Sequence, residues 1–178
     1  NLEIYDDLSK GKEKLCISQG QLIENVILEA EKAWKGETQV DNILLTAPTG
    51  SGKSLLFQLP AIYLGKEYNL LTIVVSPLKA LIVDQVESLQ ELGYMRVAYA
   101  SSDLSPEQKM EVYRQVREGE IDLFYLSPEL LLSYDIKHFV GERRIGLVVV
   151  DEAHTVTTWG KEFRVDYWFL GRYLDALK

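Results

Sequence analysis

The chain has 178 residues, which is typical of a single globular domain, and 47% of them are hydrophobic and 26% charged. Its one cysteine excludes an internal disulfide framework, and no apolar run approaches the roughly 20 residues that cross a bilayer, so we expect a cytoplasmic, nucleoid or nuclear protein with no membrane partner. The net charge of −8 argues mildly against a nucleic-acid partner, but a summed charge says nothing about where the 19 basic residues lie.

Short β-rich runs alternate with stretches of helical periodicity along most of the chain. A first helix is predicted at Gln21–Trp34, and Gly36 is placed to end it. The predicted strands are Ile43–Ala47, Leu71–Ser76, Arg96–Ala100, Asp122–Ser127 and Leu147–Asp151. The predicted helices that follow them are Lys53–Leu64, Leu78–Leu92, Pro106–Glu118, Pro128–Phe139 and the aromatic-rich tail Phe163–Lys178.

Three predicted strands are apolar at consecutive positions rather than at alternate ones: Ile43–Leu45, Leu71–Val75 and Leu147–Val150. This pattern indicates strands that are buried on both faces, as in a parallel sheet covered by helices. Together with the strand–helix alternation it predicts an α/β fold with a mostly parallel β-sheet and helices on both faces. No internal repeat or linker divides the chain, so residues 1–178 are predicted to be one domain.

The first predicted strand-to-helix junction has the spacing of a P-loop, Ala47-Pro48-Thr49-Gly50-Ser51-Gly52-Lys53-Ser54. The glycines let successive backbone N–H groups face one phosphate, and the start of the next helix adds the positive end of its dipole. Lys53 is suited to contact the β- and γ-phosphates, and the Ser54 hydroxyl is suited to ligate Mg²⁺. We therefore predict that ATP binds with Mg²⁺, through Thr49, Gly50, Ser51, Gly52, Lys53 and Ser54. A glycine turn that caps a helix by chance is the disfavoured alternative, because strand, loop, Lys-Ser and helix occur in order.

An acidic pair follows the last predicted strand. A carboxylate at the end of a buried strand beside a P-loop can hold Mg²⁺, and Asp151 fits that role. Glu152 is then placed to polarise the attacking water as general base, so Lys53 and Glu152 are the catalytic candidates. Alone, an Asp-Glu pair would be interpreted as a solvated strand end. For His154, a coupling role and a structural role are both open.

The sequence Asp151-Glu152-Ala153-His154, taken with the P-loop, resembles the superfamily 2 helicases and translocases. Further segments resemble the RecQ-like DNA helicases in the expected order. These are Ser76–Gln85 for motif Ia, Ala100–Ser105 for the polar segment after the next strand, and Tyr125–Leu131 for motif Ib. Trp159-Gly160, Phe163-Arg164 and Tyr167 have the spacing of the RecQ aromatic-rich loop, which is the most family-specific signal.

The resemblance implies the first RecA-like P-loop NTPase domain of a DNA helicase, with a single-stranded tract of DNA as partner. In such helicases the aromatic-rich loop senses DNA and relays its presence to the ATP site. Trp159 and Phe163 are suited to stack on bases, and Arg164 to meet a phosphate or a base face. The alternative is that these aromatic residues pack as core together with Tyr167 and Trp168.

Three further residues have roles that the resemblance implies. Lys79 and the backbone around Ser127 resemble elements that track the nucleic-acid strand, although ordinary capping of the helices that follow explains them equally well. Gln21 matches the glutamine that reads adenine in the family, with a surface helix residue as the alternative. Ser18 stands where the family carries arginine, and this departure puts adenine selectivity in doubt.

The resemblance also implies a second RecA-like domain in the same polypeptide, which supplies an arginine finger worth about 10³–10⁵ in rate. We therefore expect these 178 residues alone to bind nucleotide weakly and to hydrolyse it negligibly. One alternative is an RNA helicase of the broader Asp-Glu-Ala-His or Asp-Glu-Ala-Asp groups, which do not normally share the aromatic-rich loop. Another is a nucleotide-gated DNA sensor or translocase subunit of a larger assembly, such as a defence complex. A scaffold with a degenerate motor is disfavoured by the intact ATP-site residues.

Overall fold

A computed structural model of the chain describes residues 2–5, 14–46 and 50–153. The strands are β1 (Leu2–Tyr5), β2 (Lys14–Ile17), β3 (Leu71–Val75), β4 (Val97–Ala100), β5 (Leu123–Leu126) and β6 (Ile145–Val150). The helices are α1 (Gln19–Trp34), α2 (Leu55–Tyr68), α3 (Lys79–Glu91), α4 (Pro106–Arg117), α5 (Pro128–Leu132) and α6 (Ile136–Val140). In these ranges no helix has both the length and the apolar composition needed to span a bilayer.

Four of the strands form a parallel sheet in the order β4-β5-β3-β6. β3 lies between β5 and β6, and all five of its residues, Leu71–Val75, are buried, as its uninterrupted apolar run predicts. The two remaining strands, β1 and β2, pair with each other in antiparallel orientation. The predicted α/β fold with a mostly parallel sheet is confirmed.

Helices cover both faces of this sheet. Alternate residues of a strand point to opposite faces, so each strand contributes side chains to both layers of packing. On one face Ile73 and Phe124 pack against α4, α5 and α6. On the other face Val74 and Tyr125 pack against α2 and α3, and α1 packs against α2 through Ala30. With both faces covered, the loops at the carboxyl ends of the strands form the surface where ligands bind in sheets of this kind.

Side-chain caps start two of the long helices. Ser18 and Gln21 form a capping box at α1, and Ser105 and Gln108 form the same arrangement at α4, where Pro106 occupies the first turn. The predicted helix start at Ser105-Pro106 is therefore confirmed. Gly36 follows the last turn of α1 with φ of 78°, a conformation that favours glycine and ends the helix as predicted.

The strand predicted at Ile43–Ala47 is wrong over residues 43–46, which have no regular secondary structure. The exposed fractions are 47% for Ile43 and 86% for Leu44. A strand becomes stable only when a neighbour satisfies its backbone groups, and no strand among the described residues pairs with the outer edge of β6. For the same reason β6 is half-buried throughout rather than buried on both faces.

The single helix predicted at Pro128–Phe139 is also wrong, because the structure divides it into α5 and α6. Ser133 ends α5, and the side chain of Asp135 accepts a hydrogen bond from the Lys137 N–H (2.8 Å) at the start of α6. Aspartate offers the backbone this local alternative to a continuous helix, so it favours a new start over continuation.

Candidate nucleotide and nucleic-acid site

The P-loop residues 50–54 form a turn that leads directly into α2. Gly50 and Gly52 have φ of 79° and 77°, in the left-handed region that glycine adopts without strain. Immediately after this turn, α2 begins with a hydrogen bond from the Leu55 N–H to the Gly52 carbonyl (3.2 Å). The Ser54 side chain makes no capping hydrogen bond. The positive end of the α2 dipole therefore lies beside the turn, as a phosphate site requires.

The residues of this turn fit a phosphate group. The Ser51 hydroxyl is buried and has no hydrogen-bond partner within the part of the chain that is described. Buried polar atoms are normally paired, so this hydroxyl is suited to a ligand oxygen. A Cβ added to Gly50 would meet nothing within 4 Å, which leaves that side of the turn open. The predicted ligand Thr49 lies outside the described residues.

Gln19, in the first turn of α1, contacts the P-loop. Its Nε2 donates to the Ser51 carbonyl (2.9 Å), and a Cβ added to Gly52 would lie 2.7 Å from the same nitrogen. Sequence reasoning singled out Gln21 instead. Gln21 is exposed, and its Oε1 accepts a hydrogen bond from the Ser18 N–H (2.8 Å) in the capping box. Its contact with adenine stays a prediction, and no local pattern distinguished Gln19.

Asp151 extends the pairing of β6 with β3, because its N–H donates to the Val75 carbonyl (2.9 Å). Both of its carboxylate oxygens are engaged. Oδ1 accepts from the Glu152 N–H (2.9 Å), and Oδ2 accepts from Gln85 Nε2 (3.4 Å). Glu152 has φ of 51°, which is uncommon for a residue other than glycine. The acidic pair is thus held by its own backbone and by α3.

A chain of side-chain hydrogen bonds connects α2 with Asp151. Gln58 Nε2 donates to Tyr125 Oη (3.2 Å), and Tyr125 Oη donates to Gln85 Oε1 (3.0 Å). Gln85 in turn donates to Asp151, while the Gln58 N–H donates to the Ser54 carbonyl (2.9 Å). This chain of hydrogen bonds therefore joins Asp151 to α2 at Gln58, one helical turn after Ser54. In the sequence, Gln85 and Tyr125 lie in helicase-like segments that do not indicate this role, and Gln58 is not singled out, because nothing local to each residue indicates the others.

The donor set suits Mg²⁺ bound together with a nucleotide. Within the described ranges, no group of three or more His, Cys, Asp or Glu side chains is placed to hold a metal ion alone. Mg²⁺ usually takes one or two protein ligands and completes its shell with phosphate oxygens and water. The hydroxyl of Ser54 and the carboxylate of Asp151 would supply these one or two protein ligands.

Two of the predicted nucleic-acid contacts lie at the carboxyl end of the sheet. Lys79 Nζ forms an ion pair with Asp103 (2.9 Å) and a hydrogen bond with Ser102 Oγ (2.5 Å). The hydrogen bond from Lys79 holds the pKa of Asp103 below its usual value. Ser127 is buried, and its hydroxyl accepts a hydrogen bond from the Leu130 N–H (3.3 Å) as the cap of α5. Capping thus accounts for the Ser127 hydroxyl, and the nucleic-acid contacts stay predictions.

The other predicted site residues lie outside the part of the chain that the structure describes. They are His154, Trp159, Phe163 and Arg164. The predicted tail helix Phe163–Lys178 lies there as well.

The family model for DEAD/DEAH box helicases matches residues 23–175. Three curated relatives are DNA helicases by name. RecQ of Bacillus subtilis is 38% identical over 126 residues, which are 71% of this chain and 20% of that protein. RecQ of Synechocystis is 42% identical over 130 residues (72% of this chain, 26% of that protein). ATP-dependent DNA helicase Q-like 5 of Arabidopsis thaliana is 40% identical over 125 residues (70% and 13%).

A solved structure from Sulfolobus tokodaii, described as a hypothetical ATP-dependent RNA helicase, has the same fold. The TM-score is 0.60, and the match covers 84% of this chain and 39% of that chain. The sequence identity is 21%, so this similarity concerns the fold alone. It agrees with the RecA-like α/β fold predicted from the sequence.

Proposed function

The chain belongs to the DEAD/DEAH box helicase family, and on that premise we propose that it is the ATP-binding motor domain of a RecQ-like DNA helicase. ATP hydrolysis in the intact protein drives movement on DNA or its unwinding. The chain spans 20% of the length of the Bacillus subtilis relative and 26% of the Synechocystis relative. A second RecA-like domain in the same polypeptide is therefore part of this proposal.

One observation carries the proposal. The helix α2, which begins at the turn of residues 50–54, is linked through Gln58, Tyr125 and Gln85 to Asp151, so the helix that follows the proposed phosphate-binding turn is hydrogen-bonded to the carboxylate. A glycine turn that merely capped a helix would need no such link. The combination is what phosphoryl transfer requires, since catalysis there consists mainly of positioning and of charge stabilisation.

Each residue of the site has a distinct task in the proposal. The backbone N–H groups of the turn and the Lys53 ammonium bind the β- and γ-phosphates of ATP. Ser54 and Asp151 hold Mg²⁺, which supplies positive charge against the phosphate oxygens. Glu152 accepts a hydrogen bond from the attacking water and orients it. The second domain provides the arginine that completes the site.

Nucleic acid binds along the carboxyl end of the sheet in this proposal. Lys79 and the backbone at Ser127 contact the phosphates of a single-stranded tract of DNA, and Lys79 leaves its ion pair with Asp103 to do so. The aromatic-rich segment that includes Trp159 stacks on bases and makes hydrolysis conditional on DNA. His154 couples that segment to the ATP site.

The test is the ATPase rate of the intact protein with no nucleic acid, with single-stranded DNA and with single-stranded RNA. We expect stimulation by DNA that disappears in Trp159→Ala. The control is Trp34→Ala, because Trp34 packs beside Arg144 (4.5 Å to the ring centroid) and Tyr68 and has no task in the proposal. The control should retain the fold-stimulation.

Two other results would replace the proposal. Equal stimulation by RNA would indicate an RNA helicase. Stimulation by DNA that Trp159→Ala leaves unchanged would indicate that Trp159 packs in the core instead of contacting DNA. Strand separation by the intact protein then distinguishes a helicase from a DNA sensor, because a sensor hydrolyses ATP on DNA without parting the strands.

A further inference from the structure

We propose that Gln85 is a positioning residue for the Asp151 carboxylate, and that Tyr125 fixes the orientation of the Gln85 amide. The inference rests on the proposed function, because it concerns the carboxylate that holds Mg²⁺ beside ATP. In this proposal, side chains inside the domain orient the Asp151 carboxylate.

The Gln85 amide has only one orientation that satisfies its neighbours. Its Oε1 accepts from Tyr125 Oη (3.0 Å) and lies 3.5 Å from Gln58 Nε2, which leaves Nε2 to face Asp151 Oδ2 (3.4 Å). An ionised carboxylate only accepts hydrogen bonds, so the reversed amide would set a carbonyl oxygen against Asp151. The amide therefore presents a donor to the carboxylate.

Tyr125 holds that orientation because its hydroxyl can donate only in one direction. The residue is fully buried, and burial raises the pKa of its hydroxyl above the usual value, which keeps the proton in place. The hydroxyl accepts from Gln58 Nε2 (3.2 Å), so its proton is directed to Gln85. A buried network in which every member has a partner has a defined geometry.

Asp151 needs such support because it stands where β6 ends. The Glu152 N–H engages one carboxylate oxygen and Gln85 engages the other, so two hydrogen bonds at opposite corners set the plane of the group. Each carboxylate oxygen accepts more than one hydrogen bond, so the remaining lone pairs would be available to a metal ion or its water. Outer partners of this kind typically contribute 10–100-fold to metal affinity.

The test measures binding of a fluorescent ATP analogue to the intact protein as the Mg²⁺ concentration is varied. Gln85→Met keeps an unbranched side chain of similar length and removes both the donor and the acceptor. We expect the Mg²⁺ concentration for half-maximal binding to rise about 10-fold or more, whereas the affinity in excess chelator stays unchanged. Tyr125→Phe should shift it in the same direction by less, because the amide remains but is free to rotate.

The double variant Gln85→Met/Tyr125→Phe separates positioning from packing. If Tyr125 acts through Gln85, the double variant matches Gln85→Met alone, whereas independent packing losses would add. Matched controls are Gln90→Met, an exposed position on the same helix, and Tyr113→Phe, a buried tyrosine on the other face of the sheet. Both should leave the Mg²⁺ dependence unchanged.

Failure of the proposed function and failure of the inference about Gln85 give different results. If the unmutated protein binds the analogue equally with and without Mg²⁺, or not at all, both the proposed function and this inference are overturned. If the unmutated protein shows Mg²⁺-dependent binding that Gln85→Met leaves unchanged, only the inference is overturned. Should Gln85→Met fail to fold, Tyr125→Phe decides by itself, with a shift supporting the inference and no shift overturning it.

Discussion

Gln19 and Gln21 lie two positions apart at the start of α1, and their side chains make different contacts. Gln19 reaches the Ser51 carbonyl across 32 positions of sequence. Gln21 closes a capping box with Ser18, its near neighbour. The first contact is made to the proposed phosphate-binding turn, and the second caps the start of α1. Only the first is specific to a nucleotide site, so the two residues can be separated by experiment.

Gln19→Ala should weaken the binding of ATP and GTP by the same factor, because the turn contacts phosphates that both nucleotides share. An intramolecular neutral hydrogen bond contributes about 1 kcal/mol, so the loss of affinity should reach at most roughly fivefold. If Gln21 reads adenine, Gln21→Ala should instead reduce the preference for ATP over GTP. Competition binding with both nucleotides measures both effects.

The control for lost capping is Gln108→Ala, since Gln108 closes the same kind of box at α4. It should leave affinity and selectivity unchanged. Equal loss of ATP preference in Gln21→Ala and Gln108→Ala would mean that Gln21 only caps its helix, and unchanged affinity in Gln19→Ala would mean that Gln19 has no specific task at the turn.

At the scale of elements, Asp122 joins the amino ends of three strands, at the opposite end of the sheet from the site. It is 1% exposed and accepts from Arg96 Nε (2.6 Å), Arg143 Nη2 (2.9 Å) and Tyr94 Oη (3.2 Å). α2 approaches so closely that a Cβ added to Gly65 would lie 2.3 Å from the Asp122 carboxyl carbon. Burial lowers the pKa of Arg143, a cost that the Asp122 carboxylate offsets.

Asp122→Ala should lower the free energy of unfolding by about 3–5 kcal/mol, because it leaves a buried guanidinium without its carboxylate. The Arg143 side chain is 4% exposed, whereas that of Arg96 is 46% exposed, so Arg96→Ala should cost much less. Urea unfolding of the intact protein measures both changes. The matched control is Glu111→Ala, which removes an exposed carboxylate from Arg114 and should have little effect. A loss below about 1 kcal/mol for Asp122→Ala would show that Arg143 does not depend on that carboxylate.

At the scale of the whole molecule, this chain provides one side of the proposed ATP cleft. The relatives that it matches are much longer, since the matched residues make up only 20% and 26% of two of them. For the proposed DNA partner, the net charge of −8 means that a basic surface must come from local clusters or from the rest of the polypeptide.

The 178 residues expressed alone should bind nucleotide weakly and hydrolyse it about 10³–10⁵-fold more slowly than the intact protein on DNA, because the proposal places the arginine finger in the second domain. A side-by-side measurement of ATP turnover, with and without single-stranded DNA, checks this. Fast, DNA-stimulated turnover by the 178-residue chain would show that the site is complete without a second domain.

Features that depend on near neighbours in sequence were predictable. The apolar run Leu71–Val75 predicted a strand buried on both faces, and Ser105-Pro106 predicted a helix start, because burial pattern and capping act over a few residues. The P-loop spacing likewise required Gly50 and Gly52 at the positions that have positive φ. The sequence by itself therefore determined the fold class and the location of the glycine turn that we propose binds phosphate.

Features that depend on contacts across the chain were decided by the tertiary structure. The run Ile43–Leu45 has the composition of a buried strand, but it pairs with no strand in the described ranges, and composition cannot supply a hydrogen-bond partner. Gln85 meets Asp151 across 66 positions of sequence, and Gln19 meets Ser51 across 32. Such contacts exist only because the parallel sheet brings the carboxyl ends of separate strands, and the helices that follow them, to one edge.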